Sequence, residues 1–577
     1  MNDLKTIDEK LAGLNYYPRM QLRRRQDNGY YLNLNGKWEY LISKSYSITD
    51  EDEKRYKEII VPYPIESKLS KVGIRLDKDD YIVYKKPFIF IPKEERTMLH
   101  IGACSSESII FINNNLVGHN SGGYLPIDID ITDYLWDDGD NEIEMFCHNK
   151  LDGHLPYGKQ TRKNGGIWYT PNSGIWKSVW LESVNRNYIK DLKIRTDLSN
   201  HKLSLNIDSD YPKYNIKVLF NNELVIEKDI NSNNCDIKFD EIKEWSPDEP
   251  NLYDLIIENE YDRVESYFGF KEIAIKDKKI LLNNKPIFMH GLLDQGYYPE
   301  SLLSYPNIDC VINDLKKIKE LGFNTLRKHI KVEDDIWYYY CDKLGIIVWQ
   351  DFVNMFRYSF LFDSALPTVF SKRLDRIRLY SKNDKEFFIN HSLNIMKLLS
   401  NHPSVALWTI FNEGWGQFDT NKVYKIIKKN NDSNLLIDSA SGWFKRNKAT
   451  EVVSDHVYFK KFSIDKEYDK PYLLSEFGGY ALRIDGHTYN EKEFGYKLYK
   501  DLDSLDNAIY DLYHNEIIPN IKKGLCATIY TQVSDVEDEV NGIFTYDRKV
   551  CKLNKDIALK IKEEIDCEFL KNEKNSN

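Results

Sequence analysis

The 577 residues of this chain are too many for a single hydrophobic core, and length alone predicts roughly three or four domains. Hydrophobic residues at 42% and charged residues at 29% are the proportions of an ordinary globular protein. A net charge of −10 with a pI near 5.8 excludes the basic footprint of a nucleic-acid binder or of a protein drawn to anionic membranes, which leaves a small or neutral partner.

The N-terminal stretch Met1–Met20 is polar and lacks the apolar centre of a secretory signal, and no run approaches the ~18–20 apolar residues of a membrane helix. The eight cysteines are scattered without CxxC or zinc-like spacing, so free thiols in a reduced, cytoplasmic compartment are expected. Up to about residue 185 the chain reads as short strands: Tyr81–Ile91, Arg96–Ile101, Ser108–Ile112 and Glu142–His148. Turn clusters at Asn113-Asn114-Asn115, Gly122-Gly123 and Asp138-Gly139-Asp140 separate them. This predicts an N-terminal, jelly-roll-like β-sandwich over 1–185, closed by residues 174–182. Residues 186–276 carry Leu192–Thr196, Leu203–Ile207, Ile216–Phe220, Leu252–Ile257 and Glu265–Phe270, which suit an immunoglobulin-like β-sandwich.

From 277 to 570 the pattern changes to strands alternating with helices. Eight strands are predicted: Ile287–His290, Asn324–Arg327, Ile346–Gln350, Val405–Phe411, Leu435–Asp438, Val452–His456, Tyr472–Ser475 and Ala527–Thr531. Eight such units are the count of a (β/α)8 TIM barrel, and a doubly wound sheet would not need so many. Helices are expected over Ile308–Leu321, Asp384–Leu399 and Leu505–Ile521, a functional loop over 357–383, and a frayed tail after about 568.

Two glutamates end apolar strands of this barrel: Glu413 in Phe411-Asn412-Glu413, and Glu476 in Ser475-Glu476-Phe477-Gly478-Gly479. The carboxyl ends of barrel strands are where such barrels carry their chemistry. Two carboxyl groups ~5–5.5 Å apart can serve as acid/base and nucleophile in glycoside hydrolysis with retention. Around them Asn412 could reach a sugar hydroxyl, and Arg327 could hold the nucleophile ionised. Asp294 could accept from sugar hydroxyls, and Trp415 and Trp443 could offer flat faces for stacking. Tyr458 could donate a hydrogen bond to the nucleophile. His402 precedes its strand, at the end opposite the chemistry, and is assigned a structural role.

These motifs resemble glycoside hydrolase family 2 over nearly the whole chain. The resemblance runs through Leu34-Asn35-Gly36-Lys37-Trp38, Gly118–Tyr124, Gly174-Ile175-Trp176, Gly322–Arg327, Asn401–Val405 and the two glutamate motifs. It implies exo-hydrolysis of terminal β-glycosides by double displacement, with Glu476 as nucleophile and Glu413 as acid/base. A mono- or divalent cation near Glu413 is compatible with it, although ligand spacing predicts no obligatory metal or other cofactor. A small-molecule or oligosaccharide β-glycoside is the implied partner, and the resemblance makes a homo-oligomer plausible.

Leu293-Asp294-Gln295 stands where many relatives carry Arg-His-Glu. Glu539-Val540-Asn541 stands where glucuronidases carry the Asn-x-Lys that grips a uronate. A carboxylate in place of that clamp disfavours a uronate on charge grounds, so the expected activity is of β-galactosidase type. The alternatives are a β-glucuronidase or β-mannosidase on the same machinery, and a carbohydrate-binding protein without catalysis.

Overall fold

Buried and exposed side chains alternate along the N-terminal strands, as in Glu107–Ile112, and alternation with one wet face is what an antiparallel sandwich requires. The computed structural model describes residues 4–46, 48–49, 51–365, 380–443 and 448–576. In it a six-stranded sheet (Lys57–Val61, Gly36–Ser43, Tyr81–Ile89, Asp140–His148, Glu107–Ile112, Asn115–Ser121) faces a four-stranded one (Tyr31–Asn33, Val179–Val184, Arg96–Ile101, Ile127–Asp130). Trp38, Tyr84, Leu99, Ile110, Met145 and Leu181 belong to the core between them.

The next unit pairs a three-stranded sheet (Asp191–Asp197, Lys202–Asp208, Asn234–Lys238) with a four-stranded one (Glu223–Ile230, Tyr214–Phe220, Tyr253–Glu258, Arg263–Phe268). The strand Glu223–Ile230 is the one the pattern hides. It lies at a sheet edge and only its last residue is buried.

The strands of the third unit are buried on both faces, so they read as continuous apolar runs. In chain order they are β1 (Met289–Asp294), β2 (Thr325–Lys328), β3 (Ile347–Asp351), β4 (Val405–Thr409), β5 (Leu436–Asp438), β6 (Val453–Val457), β7 (Tyr472–Gly478) and β8 (Leu525–Thr531). All eight are parallel, in the order β5-β4-β3-β2-β1-β8-β7-β6, which is a near-closed barrel. Among the helices around it are α1 (Ile308–Glu320), α2 (Asp335–Leu344), α3 (Lys382–Leu399), α4 (Thr420–Lys429), α5 (Leu502–Leu512) and α6 (Lys555–Ser576). Of the expected 357–383 loop, a π-helical turn covers Phe360–Ala365; residues 366–379 lie outside the described range. No helix among the described residues is long and apolar enough to cross a membrane.

Both ends of the barrel are held by the sandwiches. At the foot, Trp245 Nε1 donates to Asp342 O (2.7 Å) and Tyr267 OH to Asp342 Oδ2 (2.7 Å). His402 lies fully buried between Asp342 (2.7 Å) and Asp335 (2.9 Å), as its structural assignment requires. At the mouth, the 149–172 loop of the first sandwich sits on the barrel. Tyr157 N and Gly158 N both donate to Asn354 O, and Tyr157 OH donates to Phe356 O (2.7 Å).

Candidate active site

Arg327 is the hub. It is fully buried and grips Asp351 with two parallel bonds (2.9 and 3.1 Å). A guanidinium only donates, and the three remaining hydrogens of this one are shared: Nη1 faces Glu476 Oε1 (2.9 Å), Ser475 O (3.0 Å) and His456 Nε2 (3.3 Å), and Nη2 faces Asn412 Oδ1 (2.8 Å) and Ser441 Oγ (3.0 Å). The amide of Asn412 is thereby oriented: Oδ1 also accepts from Ser441 Oγ (2.9 Å), so Nδ2 is the atom turned outward as a donor.

Glu476 stands in β7, where the pairing with β6 shifts register between Asp455 and His456 and the pairing with β8 shifts between Leu474 and Phe477. Such bulges re-aim side chains. The Oε2 atom of Glu476 accepts from Tyr458 OH (2.5 Å), which also touches Thr531 Oγ1 (3.0 Å). Burial alone would raise this carboxyl. His456, Arg327 and His329 outweigh that and hold it at about 2.

Glu413 follows β4 in a different setting. Its φ of +51° lies in the left-handed region, which costs a non-glycine residue roughly 1–2 kcal/mol; strain of this kind is a recurrent mark of functional positions. Its N–H donates to Ser441 O (3.1 Å), which seats the turn against the end of β5. Oε1 meets His456 Nδ1 at 2.7 Å, and the side chain is 22% exposed against 6% for Glu476. Oxygens of the two glutamates and a nitrogen of His456 all lie within 4.8 Å of one another.

Other expected residues are placed less directly. Trp443 lies 5.7 Å from the His456 ring, edge to face, and is half-buried beside Glu413. Trp415 is buried, donates Nε1 to Phe356 O (2.9 Å), and is covered by Tyr157 and Trp168 at 5.5 and 5.0 Å. Its flat face is spent inside the protein, and half-buried Trp168, from the first sandwich, is the outer ring of that cluster. Asp294 corrects the expectation made for it. Register pairs Leu293 with Arg327 and Asp294 with Lys328. Arg327 points into the barrel, so by strand alternation Lys328 and Asp294 point out of it. Asp294 sits in a buried network with Lys328 (2.6 Å), whose ammonium also meets Glu333 (2.8 Å).

Three residues escaped the sequence reading: His456, Trp168 and Tyr496. The Tyr496 ring stacks on Tyr458 at 3.7 Å. Its phenol is pushed well above the ordinary value by burial and then by the charges of Glu413, Glu539 and Glu476. Glu539 is itself buried and accepts from Tyr169 OH (2.5 Å) and Asn541 Nδ2 (3.1 Å).

Residues 273–555 match the model of the glycosyl hydrolases family 2 TIM barrel domain, and residues 187–271 match that of glycosyl hydrolases family 2. The chain belongs to glycoside hydrolase family 2. Proteins similar to it include a β-galactosidase of Clostridium acetobutylicum, 24% identical over 72% of this chain and 48% of its own length. A β-galactosidase of Streptococcus thermophilus is 22% identical over 79% of this chain and 47% of its own. The chain thus spans about half the length of the curated relatives it matches. Among solved structures, the β-D-glucuronidase of Dictyoglomus thermophilum is similar with a TM-score of 0.72 at 19% identity, covering 95% of this chain and 98% of that one. A family 2 β-galacturonidase of Eisenbergiella tayi, bound to galacturonate, gives 0.69 at 17%, covering 96% and 99%. At such identities these likenesses speak for the family 2 fold and not for a substrate.

Proposed function

We propose that the protein is a retaining exo-β-glycosidase, with a terminal β-galactoside as its foremost substrate class. The observation that carries this reading is the pair of carboxyl groups, with oxygens within 4.8 Å of each other, in unequal surroundings. Retaining glycosidases need that closeness, and inverting ones a wider gap of roughly 6.5–9.5 Å. Glu476, held ionised by its cations, attacks the anomeric carbon. Glu413 gives a proton to the departing oxygen, and a glycosyl ester forms on Glu476. Glu413 then takes a proton from water, which attacks the same carbon and releases the sugar with its configuration kept. Tyr458 and Arg327 hold Glu476 in line, and the outward Nδ2 of Asn412 is placed to donate to a hydroxyl beside the reacting carbon.

The names of the two β-galactosidase relatives support galactose. So does the buried carboxylate of Glu539, which would repel a uronate. A β-glucuronidase or galacturonidase is the second reading, on the titles of the solved structures; a β-mannosidase would use the same machinery. A panel of chromogenic β-glycosides separates them, and failure on every sugar would sink the enzyme reading. Glu476→Gln should lower kcat by at least about 10³-fold, since no other group can form the intermediate. A 2-fluoro glycoside should leave its adduct on the peptide containing Glu476. An adduct elsewhere would overturn the assignment.

A further inference from the structure

Resting on the reading just given, we propose that His456 is a positioning residue for Glu413: its Nδ1–H holds Oε1, which reserves Oε2 as the oxygen that gives a proton to the leaving group and later takes one from water. The geometry begins in the strand. The register shift between Asp455 and His456 sets His456 opposite Glu476 in the β6–β7 ladder, so its ring enters the barrel at the level of the nucleophile. The side chain is fully buried. Nδ1 lies 2.7 Å from Glu413 Oε1, Nε2 lies 3.3 Å from Arg327 Nη1, and Nε2 lies 3.6 Å from Glu476 Oε1. Trp443 packs edge to face on the ring.

The charged groups facing the ring settle which nitrogen carries hydrogen. They are Glu413 after β4, Glu476 on β7, Arg327 on β2 and, further off, Asp438 on β5. Arg327 can only donate. If the ring is neutral, a proton on Nε2 would point at that cation while Nε2 without one can share a hydrogen of Nη1, so the proton sits on Nδ1. If the ring is an imidazolium, both nitrogens are protonated. Nδ1–H faces Glu413 in either state, and the contact does not depend on pH.

One oxygen of Glu413 is thus occupied throughout turnover. While Glu413 is the acid, Oε1 is the carbonyl oxygen that accepts from Nδ1–H, and the acidic hydrogen rides on Oε2. While it is the base, the same bond becomes charge-assisted and steadies the carboxylate. A carboxyl free to rotate on the strained turn at residue 413, with φ +51°, would present the wrong oxygen for part of the time.

The test uses His456→Phe, His456→Asn and His456→Gln in the full chain, with two substrates of the preferred sugar. One carries a dinitrophenyl group that leaves without a proton, and the other an alkyl group that needs one. Asparagine places an amide N–H close to where Nδ1–H stood, and phenylalanine keeps the ring without the donor. His456→Phe should lower kcat/KM for the alkyl glycoside by about 10²-fold or more, the scale of general acid catalysis, and for the dinitrophenyl glycoside by less than about tenfold. His456→Asn should recover most of the alkyl activity. Reactivation of the 2-fluoro glycosyl enzyme, which needs the base, should slow in His456→Phe and recover in His456→Asn. Should the phenylalanine variant fail to fold, the contrast of Asn with Gln, whose amide reaches past Nδ1, serves in its place. Equal losses on both substrates, or no advantage of Asn over Phe and Gln, would overturn the proposal while leaving the glycosidase reading intact. A wild-type protein that turns over neither substrate would count against that reading first, and against this proposal with it.

Discussion

Arg327→Gln strikes the one cation that touches the nucleophile, the carboxylate Asp351 and Asn412 together. A carboxyl held at about 2 instead of its ordinary 4.5 corresponds to about 3 kcal/mol of preference for the ionised form. His456, Arg327 and His329 supply that preference against a burial penalty of opposite sign. Arg327 stands second among them, so its loss should remove on the order of 1 kcal/mol or more of that preference and move the acid limb of kcat/KM up by about one pH unit or more. A dinitrophenyl glycoside of the preferred sugar is the substrate for this assay, because its leaving group needs no proton and the limb then reports Glu476. The linkage has a definite sign. A carboxyl whose folded value is depressed stabilises the fold above its ordinary 4.5, and that stability is lost as pH falls from 4.5 towards 2. The variant should therefore show a shallower loss of stability over that window. It should also be less stable at neutral pH by up to about 3–5 kcal/mol, because Asp351 would stay buried with a partner removed; His329, 2.8 Å away, offsets part of this. An acid limb that stays in place in a folded variant would refute the account of how the nucleophile is kept ionised.

His402 gives a stability prediction of opposite sign. Burial alone would lower its value, but Asp342 and Asp335 hold it up at about 10 against an ordinary 6.5. The contribution, on the order of 4–5 kcal/mol, is full below pH 6.5 and lost as pH rises towards 10. Thermal unfolding of the wild type should fall across that range, whereas His402→Gln should start lower and stay nearly flat; parallel curves would contradict it. Trp168→Ala removes ring contacts to Trp415 (5.0 Å) and Tyr358 (5.1 Å), each worth roughly 0.5–1.5 kcal/mol. Because Trp415 follows Glu413 by two residues and would lose its cover, Michaelis kinetics should show KM raised several-fold with kcat nearly kept; an unchanged KM would show that this aromatic cluster does not shape the site.

How much of this was legible in the sequence follows from where each signal lives. All eight barrel strands could be read because burial on both faces leaves an apolar run that any window detects, as Val405–Thr409 shows. The strand Glu223–Ile230 could not, because its side chains are mostly exposed and local composition there reads as loop. Asp294 was drawn to the site by its place at a strand end. Its direction depends on the pairing of Leu293 with Arg327, a contact between strands that no single segment encodes. Trp168 was missed for a related reason, since its segment belongs to a different unit and meets the mouth only once the first sandwich is docked on the barrel.

His456 is the instructive case, because its signal was present and went unused. A histidine inside an apolar strand reads as core, and nothing local argues otherwise. Yet Tyr458 was expected to face the nucleophile, and residues two apart on a strand share a face. The extra residue at the β6–β7 register shift is Ser475 on β7, since consecutive Asp455 and His456 pair with Leu474 and Glu476, so it leaves the spacing of His456 and Tyr458 untouched. Placing Tyr458 OH on Glu476 therefore commits the His456 ring to the same interior, one step deeper, where the atom it meets is Glu413 Oε1.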